Sequence, residues 1–434
     1  MLGIITLLIA LSTRIGFLVY CLITKNTQTK FRHIVRIAAF AVFTLLLITG
    51  VYWWGFRWMG LFILLAILAV LSAAYFLKPA RKEKEYKALT TVLSFINGCV
   101  LLALCILPGI LFPQFKAIAQ TGSFEVDTKS ITYVDANRID PFSQTGENRK
   151  LTVQFWYPSI EKSEDTFPLV VFSHGAFGYR DSNVSTFENL AGNGYVVCSI
   201  DHSSHAFFAK HVDGSMTLVD RTFLNDAVNI TNEDYDEQTT YDKTHEWLAL
   251  REGDMNFALE KILHNENGVI PESIHSLINK EKIGLFGHSL GGATAAQLGR
   301  ERWDVDAVIV IDGTMIGEET GFENGRAVLN HEPYPVPLLN LYNESHYADA
   351  RQLGTAYNNL SASAHALRAY DVVIRGSGHL NFTDLPLFSP ALAKMLGIGA
   401  VDSRYCIETM NRITLQFFDS TLKDTGDLIL QPEY

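Results

Sequence analysis

The chain opens on four long apolar runs, at about residues 3–23, 34–53, 58–77 and 92–112, separated by short polar stretches. Each is close to the ~20 residues that a helix needs to cross a hydrocarbon core. One such run would suit a buried core helix equally well. Four in succession point to a transmembrane domain over residues 1–116. The first run has no basic start and three more follow it, so it does not read as a cleaved signal peptide. Arg14 lies inside that run, where a charge costs on the order of 3 kcal/mol at the bilayer centre. It is expected to face the other helices or to reach toward an interface.

The first polar stretch carries Lys25, Lys30, Arg32 and Arg36, and the third carries Lys78, Arg81, Lys82, Lys84 and Lys87. The second is a tight turn near Gly55 with only Arg57. Basic loops stay in the cytoplasm, so an even number of spans puts the N-terminus and the rest of the chain on the extracytoplasmic side.

From about Thr121 the pattern changes to short apolar, β-rich runs alternating with helical stretches. Strands are expected at 151–157, 169–173, 195–201, 283–286, 307–312, 338–342 and 366–375. Helices are expected at 244–263 and 293–300, with a closing helix over 402–422 that packs Ile407, Ile413, Phe417 and Phe418 on the sheet. The alternation predicts an α/β domain over 117–434 with a mostly parallel central sheet. Several strands are continuous apolar runs, as strands covered on both faces require. The polar, acidic stretch 213–243 reads either as a lid inserted over the site or as a solvated surface loop.

Composition narrows the function. The 434 residues carry a net charge of −11, and this acidity argues against nucleic acid as a partner. Three of the five cysteines, Cys21, Cys99 and Cys105, fall in the apolar runs, leaving Cys198 and Cys406 with no C-x-x-C pair for a zinc site or a disulfide scaffold. Asn183, Asn229, Asn343, Asn359 and Asn381 begin N-x-Ser/Thr triplets, which matter in a glycosylating host.

The strongest chemical signal is Gly287-His288-Ser289-Leu290-Gly291, directly after the strand 283–286 and before small residues that open a helix. A strand, a sharp turn and a helix lift a serine hydroxyl above a sheet, and the flanking glycines keep the turn free of side-chain collisions. Ser289 is therefore the candidate nucleophile. It needs a base and an orienting carboxylate, which in this architecture follow in the order Ser, acid, His. Asp312 ends the strand 307–312 and is the first candidate acid. Glu344, just after the next strand, competes with it. His379 follows the last strand in a glycine-rich loop and is the candidate base. His331, His346 and His365 have no comparable placement and read as surface or helix residues.

Two backbone N–H groups are expected to hold the oxyanion, those of Leu290 and Ala176. Gly175 lets the loop of Ala176 approach closely, and His174 supports it. Arg251 and Asp254, three apart on a helix, read as an intrahelical or helix–loop ion pair. His202 and His205 follow a strand end without a carboxylate or cysteine at ligand spacing, so no metal and no cofactor is expected.

These residues resemble the platelet-activating-factor acetylhydrolase group of the α/β-hydrolases. The resemblance rests on 168–175 (PLVVFSHG), 194–202 (GYVVCSIDH), 287–292 (GHSLGG), Asp312 and 376–384 (GSGHLNFTD). It covers most of the globular part and none of the apolar runs. It implies an α/β-hydrolase fold, the acid on Asp312 in preference to Glu344, the base on His379, oxyanion donors at Ala176 and Leu290, and a calcium-independent attack on short or oxidised acyl esters of phospholipids. The expected function is a membrane-anchored serine ester hydrolase working on a lipid-like or short-chain ester at a bilayer. The competing readings are a hydrolase-like domain that only binds ligand, and a dienelactone, polyester, thioester or peptide hydrolase of the same fold.

Overall fold

The computed structural model describes residues 2–77, 86–160 and 165–434. The chain divides into two compact units: residues 1–116 together with 387–395, and residues 117–386 together with 396–434.

The first unit holds four helices, α1 (Leu2–Thr24), α2 (Thr29–Ile48), α3 (Phe56–Leu77) and α4 (Ala88–Leu111), each long and apolar enough to cross a membrane. Large apolar side chains such as Ile9, Ile48, Val70, Leu77 and Leu104 point outward. The inward ones, Phe43, Tyr52, Trp58, Leu61, Leu102 and Ile106, form a small core of their own. Two expectations shift. The second run was placed at 34–53, but α2 ends at Ile48, where the chain turns through Gly50 at φ 76°. Lys30, Arg32 and Arg36 therefore belong to the first two turns of α2 and not to a loop. Arg14 does turn inward: its Nη2 donates to the carbonyls of Ser94 and Phe95 on α4. Lys78, Arg81, Lys82 and Lys84 lie outside the described residues.

The second unit is an α/β layer structure. Among the described residues eight strands form its central sheet: β1 (Val126–Ile139), β2 (Asn148–Pro158), β3 (Phe167–Ser173), β4 (Val196–Asp201), β5 (Ile278–His288), β6 (Ala307–Ile311), β7 (Leu338–Asn343) and β8 (Ala369–Ile374). Their spatial order is β1-β2-β4-β3-β5-β6-β7-β8. β1 and β2 run antiparallel to their neighbours, and all pairs from β4 to β8 are parallel.

Helices cover the sheet: α5 (Val184–Gly192), α6 (Arg221–Thr231), α7 (Glu237–His264), α8 (Leu290–Glu301), α9 (Glu344–Leu353), α10 (Asn358–His365) and α11 (Ser403–Leu422). β6 is Ala-Val-Ile-Val-Ile, wholly buried between the layers. Each Val or Ile buried there contributes about 1.5–3 kcal/mol of transfer free energy. Asp402 caps α11 by accepting from the N–H of Tyr405, and the helix buries Ile407, Ile413, Phe417 and Phe418 as expected.

The stretch 213–243 is more ordered than a solvated loop. It contains the strand Met216–Leu218, paired with Phe208–Lys210, then α6 and the first turns of α7.

Candidate active site

Ser289 sits between the last residue of β5 and the first of α8, at φ 55° and ψ −126°. A non-glycine residue is strained there. The turn is held by the N–H of Ser289, which donates to the Ile311 carbonyl at 2.8 Å. It also depends on bare backbone: a Cβ on Gly287 would lie 2.1 Å from the Gly291 carbonyl oxygen, and one on Gly291 would lie 2.0 Å from that of Ser173. The glycines at 287 and 291 thus allow β5, α8 and the end of β3 to meet at one point.

Asp312 follows β6, at φ 49°. Its buried carboxylate receives four donors. The N–H and side-chain amide of Asn343 lie 2.8 and 2.6 Å from Oδ1 and Oδ2, and Nδ1 of His379 lies 2.6 Å from Oδ2. The fourth is Nδ1 of His346, 2.9 Å from Oδ1. Burial alone would raise this carboxyl, but the hydrogen bonds from His346 and His379 outweigh it and hold Asp312 well below the usual carboxylate range.

His379 leads the turn His379–Phe382, and its side chain remains 43% exposed while that of Asp312 is fully covered. The Asn381 side chain ties this loop by accepting from the N–H groups of Gly378 and Gly399 at 2.8 and 2.7 Å. The His379 ring lies 4.5 Å from that of His288, whose Nε2 donates to the His379 carbonyl at 3.0 Å. Burial pushes His288 down to about 3, which keeps it neutral.

Glu344 points elsewhere. Its carboxylate accepts from the N–H of Gly376 at 3.0 Å and lies 3.4 Å from Arg375, on the surface.

The loop after β3 lies against the elbow: a Cβ on Gly175 would stand 2.9 Å from His288 Nδ1 and 3.2 Å from Ser289 Cβ. Among the described residues, the N–H groups of Ala176 and Leu290 donate to no carbonyl in turns or loops. His174 Nδ1 donates to the Gly175 carbonyl at 2.7 Å, and its Nε2 accepts from the N–H of His202 at 3.2 Å.

Arg251, buried in α7, donates to the carbonyls of His174 and Gly175 and to His205 Nδ1. Its expected partner Asp254 instead binds Arg149 through both oxygens, at 3.1 and 2.7 Å, along with Arg138 and His202. The two α7 residues thus act in helix–loop and helix–strand contacts and not as an intrahelical pair. The loop is pinned from below by a buried charged network that spacing along the helix could not reveal. His202 and His205 are absorbed into it.

Several other residues have roles different from those expected. His346 is not a spare surface histidine: besides Asp312 it meets the Tyr357 hydroxyl at 2.5 Å, and Tyr357 meets Thr314 at 3.0 Å. Asn183, Asn343, Asn359 and Asn381, all buried, spend their side chains on internal hydrogen bonds. On the flank of the loop after β3, Phe223 of α6 stacks on His205 at 3.8 Å and meets Phe177 at 5.2 Å. Beside it, Phe207, Phe208, Met216, Leu218 and Leu224 line an apolar cleft of about 490 Å³.

The sequence model of the family described as platelet-activating factor acetylhydrolase, isoform II, matches residues 150–428, more than half of the chain. The chain belongs to that family. The bovine (Bos taurus) platelet-activating factor acetylhydrolase is 25% identical over 283 residues, covering 60% of this chain and 58% of the relative. The dog (Canis lupus familiaris) protein of the same name is 24% identical over 277 residues, covering 60% and 58%. The match to these acetylhydrolases thus spans under two thirds of their length. Among solved structures, a ferulic acid esterase from Streptomyces cinnamoneus superposes with a TM-score of 0.56 at 22% identity, covering 72% of this chain and 94% of the esterase. That likeness shows the fold: an α/β-hydrolase preceded here by four long apolar helices.

Proposed function

We propose that this member of the acetylhydrolase family is a membrane-anchored serine ester hydrolase that cleaves short-chain or lipid-type esters through an acyl-enzyme on Ser289. The observation that carries the reading is the 2.6 Å hydrogen bond between Asp312 and His379, beside a serine at a strained strand–helix elbow. Because Nδ1 of His379 donates to Asp312, its Nε2 is left as an acceptor. It takes the proton of Ser289 as Oγ attacks the ester carbonyl, and then gives it to the departing alcohol. Among the described residues Ser289 Oγ has no hydrogen bond, and such contacts commonly tighten only when substrate is bound. In this reading the N–H groups of Ala176 and Leu290 take the oxyanion, and water then releases the acyl group.

The family's named members favour a phospholipid-like ester, and the apolar cleft beside α6 is suited to an acyl chain. We read the segment 213–243 as the cap over that cleft. The four apolar helices support membrane anchoring. Lys25 with Lys30, Arg32 and Arg36 at the start of α2, and the basic residues of the third connection, support an extracytoplasmic hydrolase unit.

A fluorophosphonate probe tests the chemistry. The full chain is expected to be labelled and Ser289→Ala is not; equal labelling of both, or of neither, would overturn the serine mechanism. A chain-length series of p-nitrophenyl esters, with phospholipid and peptide substrates alongside, tests the substrate class. Protease access in intact cells tests the side, with cleavage of the hydrolase unit expected.

A further inference from the structure

The four-helix unit holds a second, differently built site. Between α1, α2 and α4 lies a cavity of about 110 Å³ whose lining includes Arg14, Arg32, Arg36, Thr91 and Ser94. Arg14 reaches across to α4, but its contacts to the Ser94 and Phe95 carbonyls are long, at 3.3 and 3.4 Å, and its Nε has no partner. Gly98 makes the room: a Cβ there would lie 1.8 Å from Nη2 of Arg14. Arg32 spends one donor on the Thr27 carbonyl at 3.0 Å and lies over the Phe17 ring at 5.3 Å.

No carboxylate answers these three guanidinium groups among the described residues. The only acidic residues before position 117, Glu83 and Glu85, lie outside them. By helical rise, Arg36 stands ~10 Å and Arg14 ~15 Å from the helix ends joined by the first loop. Cations at that depth in an apolar slab need a partner, and three around one cavity repel each other until an anion enters. Guanidinium donors in a planar fork match the oxygens of a phosphate group. In a bilayer, the phosphates closest to such a pocket belong to lipid headgroups.

We propose that this cavity binds a phosphate group between Arg14, Arg32 and Arg36, and that its occupant is the headgroup of an anionic phospholipid. The proposal rests on the reading that the four helices span a bilayer. Carbonate extraction tests that reading separately: release of the full chain from membranes would sink the spanning assignment itself.

The lipid site is tested by native mass spectrometry of the detergent-purified full chain with dioleoylphosphatidylglycerol, dioleoylphosphatidylcholine or inorganic phosphate. One phosphatidylglycerol is expected to survive activation that strips phosphatidylcholine. Arg14→Gln combined with Arg36→Gln is expected to cut its retention at least about tenfold, the scale of one lost charge-assisted hydrogen bond. Gly98→Leu fills the space of the Arg14 guanidinium without removing a charge and is expected to cause the same loss. It serves as the test if the double variant does not fold. Equal retention of the two lipids, or undiminished phosphatidylglycerol on the variants, would overturn the site. Displacement by millimolar inorganic phosphate would overturn the lipid as occupant in favour of a free anion.

Discussion

His346 binds the oxygen of Asp312 that His379 leaves free, with Nδ1 to Oδ1 at 2.9 Å. Its other nitrogen faces the Tyr357 hydroxyl at 2.5 Å, so the ring bridges the carboxylate and the phenol. Asp312 is thereby stabilised as an anion and fixed in rotation. His346→Phe removes that donor, worth about 1.5–3 kcal/mol for a bond to a charged group. The expected result is a fall in kcat of about 10- to 100-fold, with an altered acid limb in the pH profile of kcat/KM. An unchanged kcat and profile would reduce His346 to packing.

Asp312→Asn leaves the shape of the site but removes the charge that orients His379. A loss of about 10³–10⁴ in kcat is expected if the proposed triad operates as serine triads do. Glu344→Gln, at the surface beside Arg375, is expected to stay within about threefold, because exposed ion pairs are worth little. Ester hydrolysis by the two purified variants decides this, and the reverse order would move the acid to Glu344.

Arg251→Lys tests the support beneath the loop proposed to hold the oxyanion. Lysine keeps the charge but cannot serve the His174 and Gly175 carbonyls and His205 together from one planar fork. A fall of about 10- to 100-fold in kcat is expected with KM nearly unchanged, the signature of support felt mainly in the transition state. A change confined to KM would argue for a role in substrate binding instead.

The buried histidines should make the hydrolase unit sensitive to acid. Burial, followed by the nearby Arg251, pushes His202 down to about 4. In the unfolded chain this ring takes up its proton near 6.5. The unfolded state therefore binds the extra proton between about pH 6.5 and 4, and the contribution of His202 is lost as pH falls through that window. The rate is about 1.4 kcal/mol per pH unit. His202→Gln is expected to be less stable than the parent at pH 7.5, with the gap in melting temperature narrowing by pH 5.5. A gap that widens on acidification would contradict the neutral assignment.

The elbow was legible because its signals are local: an apolar strand, two glycines and a run of small residues around Ser289. The pairing of Asp312 with His379 was legible because both follow strands of the sheet in chain order. β1 escaped notice because polar residues dominate it and only Ile131, Tyr133 and Asp135 of it are buried. His346 escaped because its contact with Asp312 joins residues 34 apart through the start of α9. The role of Asp254 escaped because its principal partner Arg149 lies 105 residues away on β2, while Arg251 three positions earlier offered a nearer explanation. Long-range polar contacts leave no periodic trace, and most of what supports this site is of that kind.

The conformation at position 289 also sets what evolution or engineering can gain there. At φ 55° and ψ −126° glycine is at ease and serine is not. Ser289→Gly should therefore relieve strain of about 1–3 kcal/mol while deleting the proposed nucleophile. Selecting variants of this protein for heat resistance alone would enrich an inert one, and only a selection that also reads turnover would keep the serine in place.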